Sequence, residues 1–123
     1  MKVLVDSSIW IGFLRNQGGG SPELAQAVRS GLAMICPVIR VEIWSGIKGK
    51  REEAIFREMT ELCPSLPMDD KTWQAADTLG RVAHQTGLNC PLADILIVAC
   101  AKRHGAAVMH RDKHLAALMA LKI

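Results

Sequence analysis

The chain has 123 residues, of which half are apolar and 22% are charged, and its formal net charge is +3. This composition excludes wholesale disorder and predicts a single domain, residues 1–123, that is large enough to bury a core. The small positive charge permits contact with a polyanion without requiring one. No apolar stretch reaches the roughly 18 residues that span a bilayer, and the N-terminus lacks the pattern of a signal peptide, so we expect a cytoplasmic protein without membrane contact.

The first half of the chain alternates short apolar runs with helical patterns. Ser7 or Ser8 is expected to cap the first helix, and Pro22 suits the first turn of the second. The glycine run at 18–20 predicts a flexible loop, because it lacks the nearby Lys and Ser or Thr of a phosphate-binding loop. The predicted elements are a strand over 2–5, a helix over 9–15, a helix over 22–30, a strand over 32–36 and a helix over 38–45.

The second half is predominantly helical. Pro64 and Pro67 confine their segment to a turn or a short extended piece, and Asp69 or Asp70 is expected to cap the helix that follows. A helix is predicted over 48–62, with apolar Ala54, Ile55, Met59 and Leu62. A second helix is predicted before Gly87, with apolar Trp73, Ala76, Leu79, Val82 and Ala83. The remaining predicted elements are a helix over 91–104, a strand over 106–109, a helix over 113–118 and a last strand in the tail.

Strands that alternate with helices predict an α/β fold, a three-layer α/β/α sandwich around a mainly parallel sheet. The cysteines show no Cys-x-x-Cys spacing and lie in or beside apolar segments, so reduced core thiols are favoured over a disulfide or zinc set. They are Cys36, Cys63, Cys90 and Cys100.

Four acidic residues fall where the strands of such a sheet end. Asp6 follows the first strand, Glu42 lies one turn into the helix after the second, and Asp112 follows the third. Asp94 lies in the first turn of the helix that leads into the third strand. Parallel sheets bind ligands at the carboxyl ends of their strands, so these side chains are expected to meet at one edge.

Each carboxylate alone has a structural explanation, such as capping a helix or favouring its dipole. Four together repel one another, and such a cluster usually persists because a cation neutralises it. Oxygen ligands select hard ions, Mg²⁺ or Mn²⁺, over zinc. An ion of this kind supports hydrolysis of a phosphodiester without a protein nucleophile.

Four segments, in order and together spanning much of the chain, resemble the PIN-domain family, and most closely the ribonuclease toxins of VapBC toxin–antitoxin pairs. They read "VLVDSSIWI", "VIRVEIWSGI", "LPMDDKTWQAADTLG" and "PLADILIVACAKRHGAAVMHRD". The resemblance implies a Mg²⁺- or Mn²⁺-dependent endoribonuclease on a small α/β sandwich, commonly a homodimer, that acts on RNA and is silenced by a cognate VapB-like antitoxin.

Carried over by position, the family's acidic quartet is Asp6, Glu42, Asp94 and Asp112. The resemblance implies that Asp6 and Asp94 hold the metal with help from Asp112, and that Glu42 binds the ion through a water or acts as a base. Ser7 or Ser8 matches a small hydroxyl residue that orients a ligand or water. The sequence departs from the family at His114 and Leu115, where a further acid and Phe are common.

Other residues have competing interpretations. His110 and His114 are four apart, which would suit zinc on a helix, but His110 is expected to end a strand, and His114 is instead a candidate contact to RNA phosphate. Trp10, Phe13 and Trp44 are expected to be core residues, with an apolar groove for an antitoxin helix as the alternative. Five basic residues could line a path for RNA backbone or form a solvated face with Glu52 and Glu53: Arg40, Lys48, Lys50, Arg51 and Arg111.

Two rival functions remain open at this stage. A non-catalytic RNA- or protein-binding module could keep the same fold. A receiver-type phosphoacceptor domain also has an Asp after a strand, but it needs paired acids there, and "VDSS" lacks them.

Overall fold

The computed structural model of the chain describes residues 1–16 and 20–123. Two residues of the predicted glycine loop, Gly18 and Gly19, lie outside the described residues. The elements are β1 (Val3–Val5), α1 (Ser7–Arg15), α2 (Pro22–Arg29), β2 (Ala33–Met34), α3 (Pro37–Gly46), α4 (Gly49–Leu62), α5 (Asp70–Gln85), α6 (Leu92–Arg103), β3 (Ala107–Met109) and α7 (Lys113–Ala120).

The three strands form one parallel sheet in the order β2–β1–β3. Leu4 lies at the centre, paired with Met34 on one side and Val108 on the other. Neighbouring residues of a strand point to opposite faces, and Leu4 and Val5 are both 0% exposed. Helices therefore cover both faces of the sheet, which confirms the predicted α/β sandwich with a parallel centre.

A fourth extended segment lies beside β2. The Ile35 amide donates to the Pro64 carbonyl at 3.0 Å, and the Leu66 amide donates to the Ile35 carbonyl at 2.7 Å. Ile35 and Ser65 form an isolated parallel bridge. The short extended piece predicted between the two prolines is thus confirmed, and it protects the edge of the sheet next to β2.

The N-cap residue of α1 differs from the predicted one. Its cap is Asp6, whose carboxylate accepts a hydrogen bond from the Ser8 amide at 3.4 Å, so the prediction that Ser7 or Ser8 is the cap is wrong. Both serines instead lie inside the first turn. Asp69 caps α5 as expected, accepting from the Thr72 amide at 2.9 Å.

Three predicted apolar positions are exposed instead of buried. In α4 the buried residue is Phe56, whereas Ala54 and Leu62 face solvent, because the helix contacts the core along a narrower stripe than its apolar pattern indicates. In α5, Trp73 is 47% exposed. The predicted last strand is also wrong, since the chain continues as α7 through Ala120 and the three residues after it join no strand.

The core extends through both helical layers. Trp10, Phe56 and Ile97 are all 0% exposed, and three of the cysteines are buried thiols. Cys90 differs because it lies at intermediate exposure in the loop before α6. Within residues 1–16 and 20–123, every helix falls short of the length and apolar character that crossing a membrane requires.

Candidate active site

The first part of the site is Asp6, at the end of the central strand. Its amide donates to the Met109 carbonyl at 3.0 Å, which ties the end of β1 to the end of β3. Its side chain is only 7% exposed, and Oδ2 accepts a hydrogen bond from the Ser8 hydroxyl at 2.7 Å. The carboxylate is thus held in one orientation, since the same oxygen also serves the helix cap.

Glu42 faces Asp6 from α3. Burial raises the pKa of Glu42 first, the carboxylates of Asp6 and Asp94 raise it further, and a hydrogen bond from Ser7 opposes them. Its Oε1 is buried, yet it has no hydrogen-bond partner among the residues described. A buried oxygen without a partner is costly, so this atom indicates a ligand or an ordered water.

Asp94 is the third residue of α6 and faces the same space. Burial raises the pKa of this carboxyl, and the carboxylates of Asp112 and Asp6 raise it further, while His114 lowers it. Acids from three helix starts and one mid-helix position therefore lie close enough to raise one another's pKa. We call this set, Asp6, Glu42, Asp94 and Asp112, the acidic edge.

Asp112 is placed by the start of α7. Its Oδ1 accepts from the His114 amide at 2.6 Å and from the Leu115 amide at 3.3 Å, so the residue is an N-cap as well as a member of the acidic edge. Ligand atoms of Asp94, Asp112 and His114 all lie within 4.8 Å of one another. His110 is outside that group, and its Nδ1 accepts from the Asp112 amide at 3.2 Å.

The donor set fits a divalent cation. Carboxylate oxygens are ligands of hard ions such as Mg²⁺ and Mn²⁺. Oε1 of Glu42 has no hydrogen-bond partner among the described residues, and the pKa values of Glu42 and Asp94 are raised by burial first and by the neighbouring carboxylates second. A cation placed among these groups would give Oε1 of Glu42 a partner and would lower the pKa values of Glu42 and Asp94 by stabilising their charged forms.

The structure therefore brings together all four acidic residues singled out in the sequence. On the sequence alone His114 is a candidate contact to RNA phosphate, and the structure places its ring beside Asp94 and Asp112. Nothing in the sequence indicates that the thiol of Cys90 lies near these carboxylates. Burial raises the pKa of Cys90, and the carboxylates of Asp94 and Asp112 raise it further. The signal for His114 was its position two residues after an Asp that caps a helix, where the first turn brings the two side chains together.

The aromatic residues near the site belong to the core. Trp10 is 0% exposed and Phe13 is 8% exposed, and both rings pack edge to face in a group with Phe56. Trp44 also packs on Phe56, at a ring-centre distance of 5.3 Å, and carries the Arg57 guanidinium over its outer face. The core interpretation of Trp10 and Phe13 is confirmed, and neither is exposed enough to line an open groove.

The five basic residues considered for an RNA path are all exposed. In the described chain the ion pairs of Arg side chains involve Arg57 with Glu53 at 3.0 Å and Arg103 with Asp69 at 3.8 Å. None of the five is used in those pairs. Arg111 adjoins Asp112, so one of these cations lies at the border of the acidic edge.

Comparison with known proteins identifies the fold family. The family described as PIN domain matches residues 3–120. The chain belongs to the PIN domain family. This match includes every residue of the acidic edge.

Two similar proteins are named as ribonucleases. The VapC ribonuclease Mb1587 of Mycobacterium bovis and the ribonuclease VapC11 of Mycobacterium tuberculosis are each 32% identical to this PIN domain over 115 residues. The aligned region covers 89% of this chain and 86% of each relative.

Solved structures show the same fold at lower identity. The crystal structure of VapBC2 from Rickettsia felis bound to a DNA fragment from their promoter has a chain that superposes with a TM-score of 0.82 and 15% identity, covering 96% of this chain and 93% of that one. A chain of FitAcB from Neisseria gonorrhoeae superposes with a TM-score of 0.73 and 18% identity, covering 95% and 93%.

Proposed function

We propose that this PIN domain is a Mg²⁺- or Mn²⁺-dependent endoribonuclease that acts as the toxin of a VapC-type toxin–antitoxin pair. The observation that carries the proposal is the acidic edge, four carboxylates gathered from distant segments where parallel strands end. Relatives that are 32% identical over most of the chain and are named as ribonucleases support RNA as the substrate.

The cation would be held by Asp6, Asp94 and Asp112. A divalent cation bound there supplies Lewis-acid stabilisation of the phosphate and lowers the pKa of water. The chain's contribution is to fix the ligands: Ser8 holds the Asp6 carboxylate, and the cap of α7 holds Asp112 through Oδ1. Preorganised ligands need no rearrangement during the reaction.

Glu42 is proposed to take a proton from the attacking water, either directly or as a group that also orients the ion through a water. Its pKa is raised, which makes its carboxylate a stronger base than an ordinary glutamate. The water oxygen attacks phosphorus, the bond from phosphorus to the 3′ oxygen breaks, and that oxygen takes up a proton. The products are therefore a 5′-phosphate and a 3′-hydroxyl.

Exposed cations are proposed to guide the RNA backbone to the acidic edge. Arg111 adjoins Asp112, and Lys48, Lys50 and Arg51 lie around the start of α4. Contacts of this type bind phosphate without reading the sequence, and they weaken as the salt concentration rises.

A small VapB-like antitoxin is the proposed partner. The similar structures from Rickettsia felis and Neisseria gonorrhoeae are named VapBC2 and FitAcB, which supports a partner of this type. Since Trp10 and Phe13 are buried, we propose that the antitoxin covers the acidic edge itself, where a basic side chain would find four carboxylates. A homodimer is proposed from the family resemblance.

A direct assay tests the proposal. Purified protein should cleave RNA in the presence of Mg²⁺ or Mn²⁺, should stop when EDTA is added, and should lose activity on Asp6→Asn. Asp77→Asn, an exposed substitution on α5, is the matched control and should keep full activity. Absence of cleavage with metal, or equal cleavage by the Asp6 variant, would favour the alternative, a non-catalytic RNA- or protein-binding module.

A further inference from the structure

His114 occupies an unexpected place in the acidic edge. Its ring nitrogen belongs to the group of ligand atoms within 4.8 Å of one another that also includes Asp94 and Asp112. The other two members are oxygen donors, so the set as a whole is mixed. Histidine is a common nitrogen ligand of first-row transition metals, whereas Mg²⁺ is usually bound by oxygen.

The first turn of α7 fixes the position of His114. The Asp112 carboxylate accepts from the His114 amide at 2.6 Å, and Leu115, which is 0% exposed, anchors the same turn in the core. Oδ1 of Asp112 accepts both backbone hydrogen bonds of the cap. The other oxygen of Asp112 can therefore bind an ion without loss of the cap.

The ring and the carboxylate are neighbours without a hydrogen bond between them. Nδ1 of His114 lies 3.7 Å from Oδ1 of Asp112, which is too long for a hydrogen bond. The ring therefore lies beside the Asp112 carboxylate without being bonded to it, and Oδ2 of Asp112 is the oxygen that the cap leaves free for the ion.

His110, the second histidine near this site, has a structural role that differs from the position of His114. Nδ1 of His110 accepts from the Asp112 amide at 3.2 Å, so that ring is used to hold the turn. The imidazole of His114 is half exposed, and its ring is turned toward the carboxylates of Asp94 and Asp112.

We infer that His114 is a nitrogen ligand of the divalent cation held by Asp94 and Asp112, and that it shifts the preference of this centre from Mg²⁺ toward Mn²⁺. The inference rests on the proposed metal-dependent function and adds the identity of a ligand and of the favoured ion. A ring nitrogen strengthens binding of Mn²⁺ more than binding of Mg²⁺, because Mg²⁺ favours oxygen ligands.

The first test measures metal binding without RNA. Mn²⁺ is titrated into the full chain, free Mn²⁺ is followed by its electron paramagnetic resonance signal, and Mg²⁺ affinity is obtained by competition. His114→Ala should weaken Mn²⁺ binding by about 10-fold or more and Mg²⁺ binding by much less. His114→Asp should keep binding of both ions and reduce the ratio of Mn²⁺ affinity to Mg²⁺ affinity. His84→Ala, an exposed substitution on α5, is the control and should change neither.

The second test identifies the ligand directly. Electron spin-echo modulation of bound Mn²⁺ should show coupling to an imidazole nitrogen in the unmodified chain and in His84→Ala, and this coupling should be lost in His114→Ala. Mn²⁺ bound with no nitrogen coupling, and lost on Asp94→Asn, would overturn the role of His114 while leaving the metal-dependent nuclease intact. No binding of Mn²⁺ by the unmodified chain would overturn both.

Discussion

Replacing Asp94 by Asn should stabilise the metal-free protein while it removes activity. The asparagine amide has the same shape as the carboxylate but carries no charge. In the native chain, burial and then the carboxylates of Asp112 and Asp6 raise the pKa of Asp94, so its charged form is disfavoured by folding. Removal of that charge relieves the penalty, provided that no cation is bound.

The size of the effect follows from the distance between the acids. Ligand atoms of Asp94 and Asp112 lie within 4.8 Å. Coulomb's law at that separation gives about 3.5 kcal/mol for an effective dielectric constant of about 20 and about 0.9 kcal/mol for water. Asp94 is partly exposed, so the lower figure is appropriate, and Asp6 adds to it.

Two effects oppose this gain, and the first is the interaction with His114, which lowers the pKa of Asp94. Second, a negative charge in the first turn of a helix is stabilised by the helix dipole by roughly 0.3–1 kcal/mol, and the substitution loses that contribution. The two repulsions and the burial of the charge together exceed both of these contributions, so the net gain should be about 1 kcal/mol. For a domain of this size, that gain raises Tm by about 4 °C.

The pH dependence has a defined sign. Because the pKa of Asp94 is raised in the folded state, the folded chain binds more protons than the unfolded chain between the ordinary and the raised pKa. Stability of the unmodified chain therefore falls as pH rises through that window. The advantage of Asp94→Asn should be complete at neutral pH and should vanish below the ordinary pKa of aspartate, where the carboxyl is protonated in both states.

Urea unfolding in EDTA at neutral and acidic pH measures the difference in free energy of unfolding between Asp94→Asn and the unmodified chain. Asp77→Asn is the control for a charge removed from an exposed helix position. Saturating Mn²⁺ should reverse the order of stability, because the ion stabilises only the chain that binds it. A loss of stability on Asp94→Asn in EDTA at neutral pH would refute the repulsion on which the argument for a cation depends.

Three further predictions concern neighbouring parts of the molecule. Ser8→Ala removes the hydroxyl that donates to Asp6 at 2.7 Å and should lower Mn²⁺ affinity by about 10-fold, measured by titration. Phe56→Ala should lower the free energy of unfolding by about 3–5 kcal/mol in urea, because this fully buried ring joins α4 to the core. Cys90 should be alkylated faster by iodoacetamide when Mn²⁺ is present, because the carboxylates near the thiol raise its pKa and a cation beside Asp94 would offset them.

Each of these predictions has an outcome that contradicts it. An unchanged Mn²⁺ affinity in the Ser8 variant would show that the Asp6 carboxylate needs no support. A loss of less than about 1 kcal/mol for the Phe56 variant would be inconsistent with a close-packed core at α4. An alkylation rate of Cys90 that is the same in EDTA and in saturating Mn²⁺ would place the ion away from Asp94.

The order of the elements and the acidic edge were predictable from the sequence. A short apolar run followed by an acid marks the end of a buried parallel strand, and Asp6 and Asp112 both follow such runs. The spacing of apolar residues also identified α3 to α6 with bounds within one or two residues. These patterns depend only on neighbouring residues in the sequence, so they can be recognised without knowing how the helices and strands pack.

Features that depend on packing were not predictable. The pattern of α4 does not reveal that Phe56, and not Ala54 or Leu62, meets the core, because that depends on where the helix crosses the layer below. The choice of Asp6 over Ser7 as a cap depends on one side-chain orientation. His114 is expected near RNA phosphate from the sequence, but the approach of its ring to Asp94 and Asp112 depends on the turn that Asp112 caps, which the apolar periodicity does not describe.

Anomalous diffraction from crystals of the protein grown with Mn²⁺ tests most directly whether the acidic edge binds a divalent cation. An anomalous peak is expected within bonding distance of carboxylate oxygens of Asp94 and Asp112 and beside Asp6. Crystals that show these carboxylates in the same positions at full Mn²⁺ saturation, with no anomalous peak among them, would contradict this expectation.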